Sequence, residues 1–211
     1  MKLTQLGSLA ALAVISTTWA QTAMADVSAN VGLVSEYHFR GIAQTTDASA
    51  SAGLDYEKDG FYVGAWTADV SDGLEIDFYA GYGYEFEGGV SASVGFTTYQ
   101  YTGDFDSAYN EVNFGLSYGF ASIEYSVGQH EEDGSLGIPE SDYTFFALTL
   151  ENNGFYGTFG SWGDDFDGEY FEVGYGTEVG GFDVGVSMVA SGSDLDDDET
   201  LLFSISKTFD L

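Results

Sequence analysis

Residues 74–86 read Leu-Glu-Ile-Asp-Phe-Tyr-Ala-Gly-Tyr-Gly-Tyr-Glu-Phe. Every second residue, from Leu74 to Phe86, is apolar or aromatic, whereas the residues between them are acidic residues, glycines and one tyrosine. This period of two predicts a β-strand with two unlike faces, because successive side chains of a strand point to opposite sides. The spacing does not fit a helix, whose apolar residues recur every three or four positions.

The same alternation recurs along the chain and predicts an all-β protein. Two segments, 61–68 and 144–150, carry large apolar residues at both parities, so ten strands are an alternative to twelve. The twelve predicted strands are 28–41, 48–57, 61–69, 74–86, 90–101, 108–119, 121–130, 142–151, 155–162, 169–179, 182–190 and 200–211.

The connections between these strands alternate in length. The tight ones, often glycine-rich, are 58–60, 87–89, 119–121, 152–154 and 180–181. The generally longer and mostly acidic ones are 42–47, 70–73, 102–107, 131–141, 163–168 and 191–199. Bacterial transmembrane barrels place short turns at the periplasm and longer loops outside the cell. The alternation therefore predicts a transmembrane antiparallel up-and-down β-barrel.

The N-terminus has the pattern of a cleaved signal peptide. Lys2 precedes an apolar stretch from Leu6 to Ala20, and Ala23-Met24-Ala25 offers the small residues of a cleavage site. We expect residues 1–25 to be the signal peptide and residues 26–211 to be the barrel. The predicted location is the cell outer membrane of a Gram-negative bacterium.

The formal net charge of −31 limits the partners of this chain. Nucleic acid is excluded, because binding to it depends on Lys and Arg replacing condensed counterions. Hydrophobic residues make up 44% of the sequence, which argues for a folded chain rather than an acidic disordered one. The expected partners are outer-membrane lipid, lipopolysaccharide and small solutes, and the oligomeric state stays open.

The polar face of the strands carries mainly glycine, serine and scattered carboxylates. Such small residues suit a concave interior, so the apolar face is expected to meet lipid and the polar face the lumen. A soluble secreted acidic β-protein, whose charge serves solubility, is an alternative.

The first predicted strand carries a more specific likeness. Residues 35–44 read Ser-Glu-Tyr-His-Phe-Arg-Gly-Ile-Ala-Gln, and the surrounding segment 28–45 resembles the start of the TorF-type porin family. The segments 53–56, 60–66 and 75–82 are similar to those that follow in that family. The resemblance implies an outer-membrane barrel that passes small solutes, and it implies no particular substrate.

Nine residues on the polar parity are candidates for lining a channel. Carboxylates in a low-dielectric wall concentrate cations, so the predicted function is passive diffusion of small hydrophilic solutes with a preference for cations. The candidates are Glu36, His38, Arg40, Asp55, Glu75, Asp77, Glu85, Glu111 and Glu124. Arg40 is expected to pair with lumenal carboxylates such as Glu36, Asp55 or Asp77. It could be a cation at a constriction or part of a structural ion pair that closes the interior.

The sequence offers no catalytic or metal-binding motif. His38 and His130 are the only histidines, and neither belongs to an HExxH pattern. The acidic runs 164–168 and 194–199 suggest calcium, but a register built on Gly168 puts glycine at both end ligand positions of an EF-hand. We therefore expect no enzyme activity, no metal and no cofactor. A non-conducting surface protein with acidic binding or protective loops is a second alternative function.

Overall fold

The computed structural model describes residues 26–211, and the predicted signal peptide lies outside them. Numbered in chain order, the strands are β1 (Asp26–Val34), β2 (His38–Phe39), β3 (Ile42–Ala43), β4 (Ser49–Lys58), β5 (Phe61–Asp69), β6 (Leu74–Glu85), β7 (Val90–Tyr101), β8 (Tyr109–Tyr118), β9 (Ala121–His130), β10 (Ser141–Asn152), β11 (Phe155–Asp164), β12 (Glu169–Val179), β13 (Phe182–Ser191) and β14 (Glu199–Asp210).

Twelve of these strands form one closed antiparallel barrel. From β4 to β14 each strand pairs with the next one in sequence, and β1 pairs with both β4 and β14. β1 meets β4 with Val34 opposite Ser49, and it meets β14 with Val31 opposite Lys207. The up-and-down barrel is confirmed with twelve strands, and the ten-strand alternative is wrong. Within residues 26–211 no helix is long and apolar enough to cross a membrane.

The two ends of the barrel differ as the connection lengths predicted. Tight connections at 59–60, 86–89, 119–120, 153–154 and 180–181 lie together at one end, here called the turn end. Both ends of the described chain lie there too, since Leu211 N–H donates to the carbonyl of Val27 at 2.9 Å. The opposite end, called the loop end, carries the connections 35–48, 70–73, 102–108, 131–140, 165–168 and 192–198.

Large apolar side chains cover the outside of the barrel. Those at one parity of each strand are exposed, and examples are Leu33, Leu54, Phe78, Val94, Phe96, Phe114, Val127, Phe171, Phe203 and Ile205. The other parity points into the barrel and carries the glycines, serines and carboxylates. An apolar outer band of this kind matches a bilayer, so the predicted transmembrane barrel is confirmed. Inside the barrel, a smaller set of apolar side chains forms two buried clusters at the loop end.

The first predicted strand, 28–41, is wrong beyond Val34. The chain leaves the wall after β1, and residues 35–48, here called the lumen hairpin, turn inward. Phe39 pairs with Ile42, so Arg40 and Gly41 form a two-residue turn with φ angles of 47° and 85°. Such turns need positive φ at both positions, which glycine accepts readily. The prediction extended the first strand too far because the hairpin strands β2 and β3 are also extended, so their residues alternate between two faces as those of a wall strand do.

Candidate functional site

The lumen hairpin is closed by its own backbone. The Gln44 N–H donates to the Tyr37 carbonyl at 2.7 Å, and the Tyr37 N–H donates to the Thr45 hydroxyl at 2.9 Å. Tyr37, Gln44 and Thr45 are all buried. A Cβ on Gly41 would lie 2.7 Å from the Tyr170 side chain, so the tip of the hairpin touches the barrel wall at β12.

Arg40, at the tip of the hairpin, forms a buried ion pair with two carboxylates of the wall. Its Nη1 and Nη2 atoms donate to the two oxygens of Glu111 at 2.8 and 3.0 Å. Nη2 also donates to Glu124 at 2.7 Å and to the Ser126 hydroxyl at 3.1 Å. Two parallel bonds to one carboxylate fix both the position and the plane of the guanidinium. The hairpin is thereby locked against β8 and β9.

Glu111 is held in place by neighbours as well as by Arg40. It is only 1% exposed. The hydroxyls of Tyr99 and Tyr143 donate to its two oxygens at 2.7 and 2.9 Å, and the Asn113 amide donates at 2.5 Å. A buried carboxylate needs this degree of pairing, because an unpaired buried charge is very costly. The wall therefore carries an ordered acceptor for the guanidinium.

Aromatic rings surround the guanidinium on its remaining sides. Its Cζ lies 4.2 Å from the centre of the Phe145 ring, 4.9 Å from Phe39 and 5.6 Å from Trp162. The Trp162 indole N–H also donates to the Arg40 carbonyl at 3.1 Å. Aromatic faces attract cations, so these rings add to the attraction of the carboxylates.

A second buried carboxylate holds the base of the hairpin. The Tyr37 hydroxyl donates to Glu75 at 2.5 Å, and the Tyr101 hydroxyl donates to the other Glu75 oxygen at 3.0 Å. The Tyr37 ring packs edge-on against Trp66, with 5.8 Å between ring centres. Glu75 and Glu111 thus hold the two ends of the hairpin from different strands.

The connections at the loop end hold the outer edge of the hairpin. The Ala43 N–H donates to the Asp196 carboxylate at 2.6 Å, and the Ser71 hydroxyl donates to the Gln44 carbonyl at 2.7 Å. The Ser191 hydroxyl donates to the Gly41 carbonyl. The lumen hairpin, the wall and two neighbouring loops are therefore joined by hydrogen bonds at the loop end of the lumen.

The remaining candidates lie apart from the Arg40 pair, and the predicted pairing of Arg40 with Glu36, Asp55 or Asp77 is wrong. Glu36 lies on the hairpin, and its Oε2 atom is 3.5 Å from the Nε2 atom of His38. Asp55 accepts hydrogen bonds from Tyr79 and Asn30 further toward the turn end.

Asp77 and Glu85 lie on the inward parity of β6 in different surroundings. Asp77 is 3% exposed, and its Oδ1 atom has no hydrogen-bond partner among the described residues. Glu85 is exposed at the turn end of the strand. Within residues 26–211 no three His, Cys, Asp or Glu side chains are grouped in a way that could hold a metal ion.

Sequence reasoning missed the partners that make the site. Tyr99, Tyr143, Phe145 and Trp162 are large buried side chains at inward parity near the loop end. A signal for them was present, because the inward parity of 144–150 carries Phe145 where a water-filled lumen would have small or polar residues. Large apolar residues at both parities of 144–150 indicated that protein rather than water fills the lumen beside this strand.

Three residues typical of hydrolases meet at the loop end, outside the lumen hairpin. The His130 Nε2 atom lies 2.7 Å from the Ser107 hydroxyl and 2.9 Å from Asp106. The Ser107 hydroxyl donates to the Glu131 carbonyl at 2.5 Å. A catalytic triad needs the acid on Nδ1 and the serine on Nε2. Here both share Nε2, so the arrangement ties the 102–108 connection to the end of β9.

This cluster makes the stability of the loop end depend on pH. Burial alone would raise the pKa of Asp106, but hydrogen bonds from His130, Tyr109 and the Ser107 N–H hold the pKa below its usual value. A carboxyl with a lowered pKa stabilises the fold while it is ionised, and this contribution is lost as the pH falls through the folded pKa.

We expect Asp106→Asn to lower the free energy of unfolding by about 1 kcal/mol at neutral pH, because asparagine offers one neutral acceptor oxygen in place of two charged ones. The gap to wild type should stay constant down to about pH 5 and shrink below about pH 4. Urea unfolding in detergent at several pH values measures it. Asp104→Asn, at an exposed position of the same connection, is the control. A gap that does not change with pH would contradict the assignment.

Solved barrels resemble this chain in fold. A structure from a study of the in-meso crystallization of membrane proteins superposes with a TM-score of 0.64 at 11% identity, covering 88% of this chain and 84% of that chain. Pseudomonas aeruginosa OccK2 (OpdF), solved in complex with glucuronate, gives a TM-score of 0.43 at 14% identity, covering 84% and 61%. The Pseudomonas aeruginosa outer membrane protein OpdK gives 0.43 at 12% identity, covering 88% and 61%. This chain spans about three fifths of these last two proteins. At such identities the likeness concerns the fold alone.

The sequence itself matches one family. No curated protein matches the chain. Residues 20–186 match the family described as "Bacterial protein of unknown function (Gcw_chp)", and this region includes the lumen hairpin and most of the barrel. Membership of the TorF-type porins is a narrower statement and stays a prediction. The match to the Gcw_chp family covers well over half of the chain, so the chain belongs to this family of bacterial proteins of unknown function.

Proposed function

We propose that this protein is a porin-like channel of a Gram-negative outer membrane, closed by its own lumen hairpin. The proposal includes the expected TorF-type character, the cleaved signal peptide 1–25 and the barrel 26–211. The loop end faces the cell exterior and the turn end the periplasm, as in other bacterial barrels. Lipid and lipopolysaccharide surround the barrel, and small hydrophilic solutes pass through it when the hairpin withdraws.

One observation carries this proposal. The lumen hairpin is anchored by polar contacts of Arg40 and Tyr37 to Glu111, Glu124 and Glu75, while its Tyr37, Phe39 and Ile42 side chains pack against two separate apolar clusters. Polar contacts can be exchanged for water, and two separate clusters cost less to expose than one continuous apolar core. A twelve-stranded wall encloses more space than an eight-stranded one, which side chains alone fill.

Toward the turn end, the inward face carries small residues, carboxylates and tyrosines, and small solutes would pass among them. The rings of Tyr62, Tyr79 and Tyr156 lie over Gly81, Gly64 and Gly174. The small or acidic residues there include Gly53, Asp55, Gly64, Gly81, Ser93, Gly95, Gly115, Ser117, Gly174 and Ser187. No basic side chain is present among them, and Asp55, Glu124 and Glu172 are only partly buried. An excess of carboxylates favours cations over anions.

Planar-bilayer recording of the wild-type protein tests the proposal. We expect a mostly closed barrel with brief openings, and reversal potentials across a salt gradient that indicate a preference for cations. Anion selectivity would contradict the proposed role of the carboxylates.

A non-conducting surface protein is the second candidate. The observation that favours it is the apolar cluster at the loop end, formed by Tyr143, Phe145, Trp162, Tyr170 and Leu202 with their neighbours. A complete absence of openings, both in wild type and after removal of the hairpin, would favour this candidate.

A further inference from the structure

The ion pair of Arg40 has two parts: a binding site formed by residues of the barrel wall, and the guanidinium group that occupies it. Glu111 belongs to β8, Glu124 and Ser126 to β9, and Phe145 to β10, so the wall supplies the site. The occupant is the guanidinium of Arg40, carried at the turn between β2 and β3, which pair only with each other. Withdrawal of the hairpin would leave the site open to the lumen.

The wall holds this site in shape without help from the hairpin. Tyr99, Tyr143 and Asn113 bind the Glu111 carboxylate from three strands. The Asn113 amide also donates to the Ser126 hydroxyl at 3.1 Å, and that hydroxyl lies 3.4 Å from Glu124. A site fixed by its own surroundings loses little entropy when a ligand binds.

The geometry of the site favours guanidinium over ammonium. Glu111 binds two nitrogens side by side, and Glu124 binds one of the same nitrogens from another direction. The Phe145 ring lies 4.2 Å from the central carbon. A planar, forked cation meets these groups simultaneously, whereas an ammonium is a compact point charge that cannot bind in this way.

We propose that the barrel wall contains a guanidinium-binding site, which Arg40 occupies when the channel is closed and which small guanidinium-bearing solutes occupy when the hairpin withdraws. The second half of this statement rests on the proposed channel function and names its solute class. Arg40 is tethered and therefore competes at a high effective concentration. Solutes of this class would favour the open state because they replace Arg40 in its site.

Chemical rescue of Arg40→Ala tests the site. Millimolar methylguanidinium is expected to raise the thermal midpoint of the purified variant in detergent, with a gain that increases with ligand concentration as for a ligand of the folded state. Methylammonium and urea, at the same concentrations, should give little or no gain. The thermal midpoint of wild type should change much less at these concentrations, because the tethered Arg40 competes with the free ligand for the site.

The double variant Arg40→Ala/Glu111→Gln is the matched control and should lose the response to methylguanidinium. If Arg40→Ala refolds poorly, the refolded fraction with and without methylguanidinium becomes the measurement. An equal response to methylammonium, or an unchanged response in the double variant, would overturn the site.

Thermal midpoints do not depend on conductance, so failure of the site and failure of the channel can be distinguished. Stabilisation of Arg40→Ala, together with an increase in wild-type openings when methylguanidinium is added to the bilayer chamber, supports both halves of the proposal. If methylguanidinium stabilises Arg40→Ala but wild type carries no current, the guanidinium site is supported and the channel function is refuted. If wild type opens but methylguanidinium does not stabilise Arg40→Ala, the channel function is supported and the guanidinium site is refuted.

Discussion

Replacement of residues 36–47 by Asn-Gly is expected to change a mostly closed barrel into a steadily conducting one. The lumen hairpin is the only described segment between β1 and β4, and its removal leaves both wall strands intact. Val34 faces Ser49 in the register, so Ser35 and Ala48 can be joined by a two-residue turn. Asn-Gly suits such a turn, because it accepts positive φ at both positions.

Single-channel recording in planar bilayers measures this effect. The matched control shortens another loop in the same way, with Asn-Gly in place of residues 132–139 between β9 and β10. His130 faces Ser141 in that register, so the geometry of the new turn is comparable. We expect this control to conduct no more than wild type.

A folded hairpin-free barrel that carries no more current than wild type would contradict the role of the hairpin as the closing element. Folding is checked independently by far-ultraviolet circular dichroism and by the heat-dependent shift of the barrel on electrophoresis gels. An equal gain of current in the loop control would point to nonspecific loosening of the loop end.

The wall of the barrel could be predicted from the sequence almost residue by residue. The predicted strand 169–179 coincides with β12, and 61–69, 90–101 and 121–130 coincide with β5, β7 and β9. These strands follow from local information, because an apolar outer surface on one side and a crowded lumen on the other impose a period of two. Tight turns such as Asn153-Gly154 mark their ends, with φ angles of 54° and 81°.

The contents of the lumen could not be predicted in this way. Arg40 lies 71 residues before Glu111 and 84 before Glu124, and these contacts form only because the closed barrel brings β8 and β9 opposite the hairpin. Parity placed Glu111 and Glu124 inside but could not say which carboxylate the single arginine would reach. The same parity extended β1 too far, because an extended hairpin also alternates.

The ion pair between Arg40 and Glu111 gives the largest expected effect on stability. Arg40→Met leaves a carboxylate that is 1% exposed without its cation, and removal of one partner of a buried pair costs about 3–5 kcal/mol. We expect this loss to appear as undocking of the hairpin. Adding Glu111→Gln to the same chain should recover part of the loss, because the buried negative charge is then absent.

Urea unfolding followed by tryptophan fluorescence measures both variants, since Trp66 and Trp162 contact Tyr37 and Phe39 of the hairpin. The double-mutant cycle should give an interaction energy of about 1–3 kcal/mol. Arg40→Met with Glu172→Gln is the control, because Glu172 instead accepts a hydrogen bond from Tyr156, at 2.6 Å, and its effect should be additive. An additive result for Arg40 and Glu111 would contradict the proposed coupling and would mean that the aromatic rings hold the hairpin in the lumen. In that case the Arg40→Met barrel should stay closed, and its single-channel current should not exceed that of wild type.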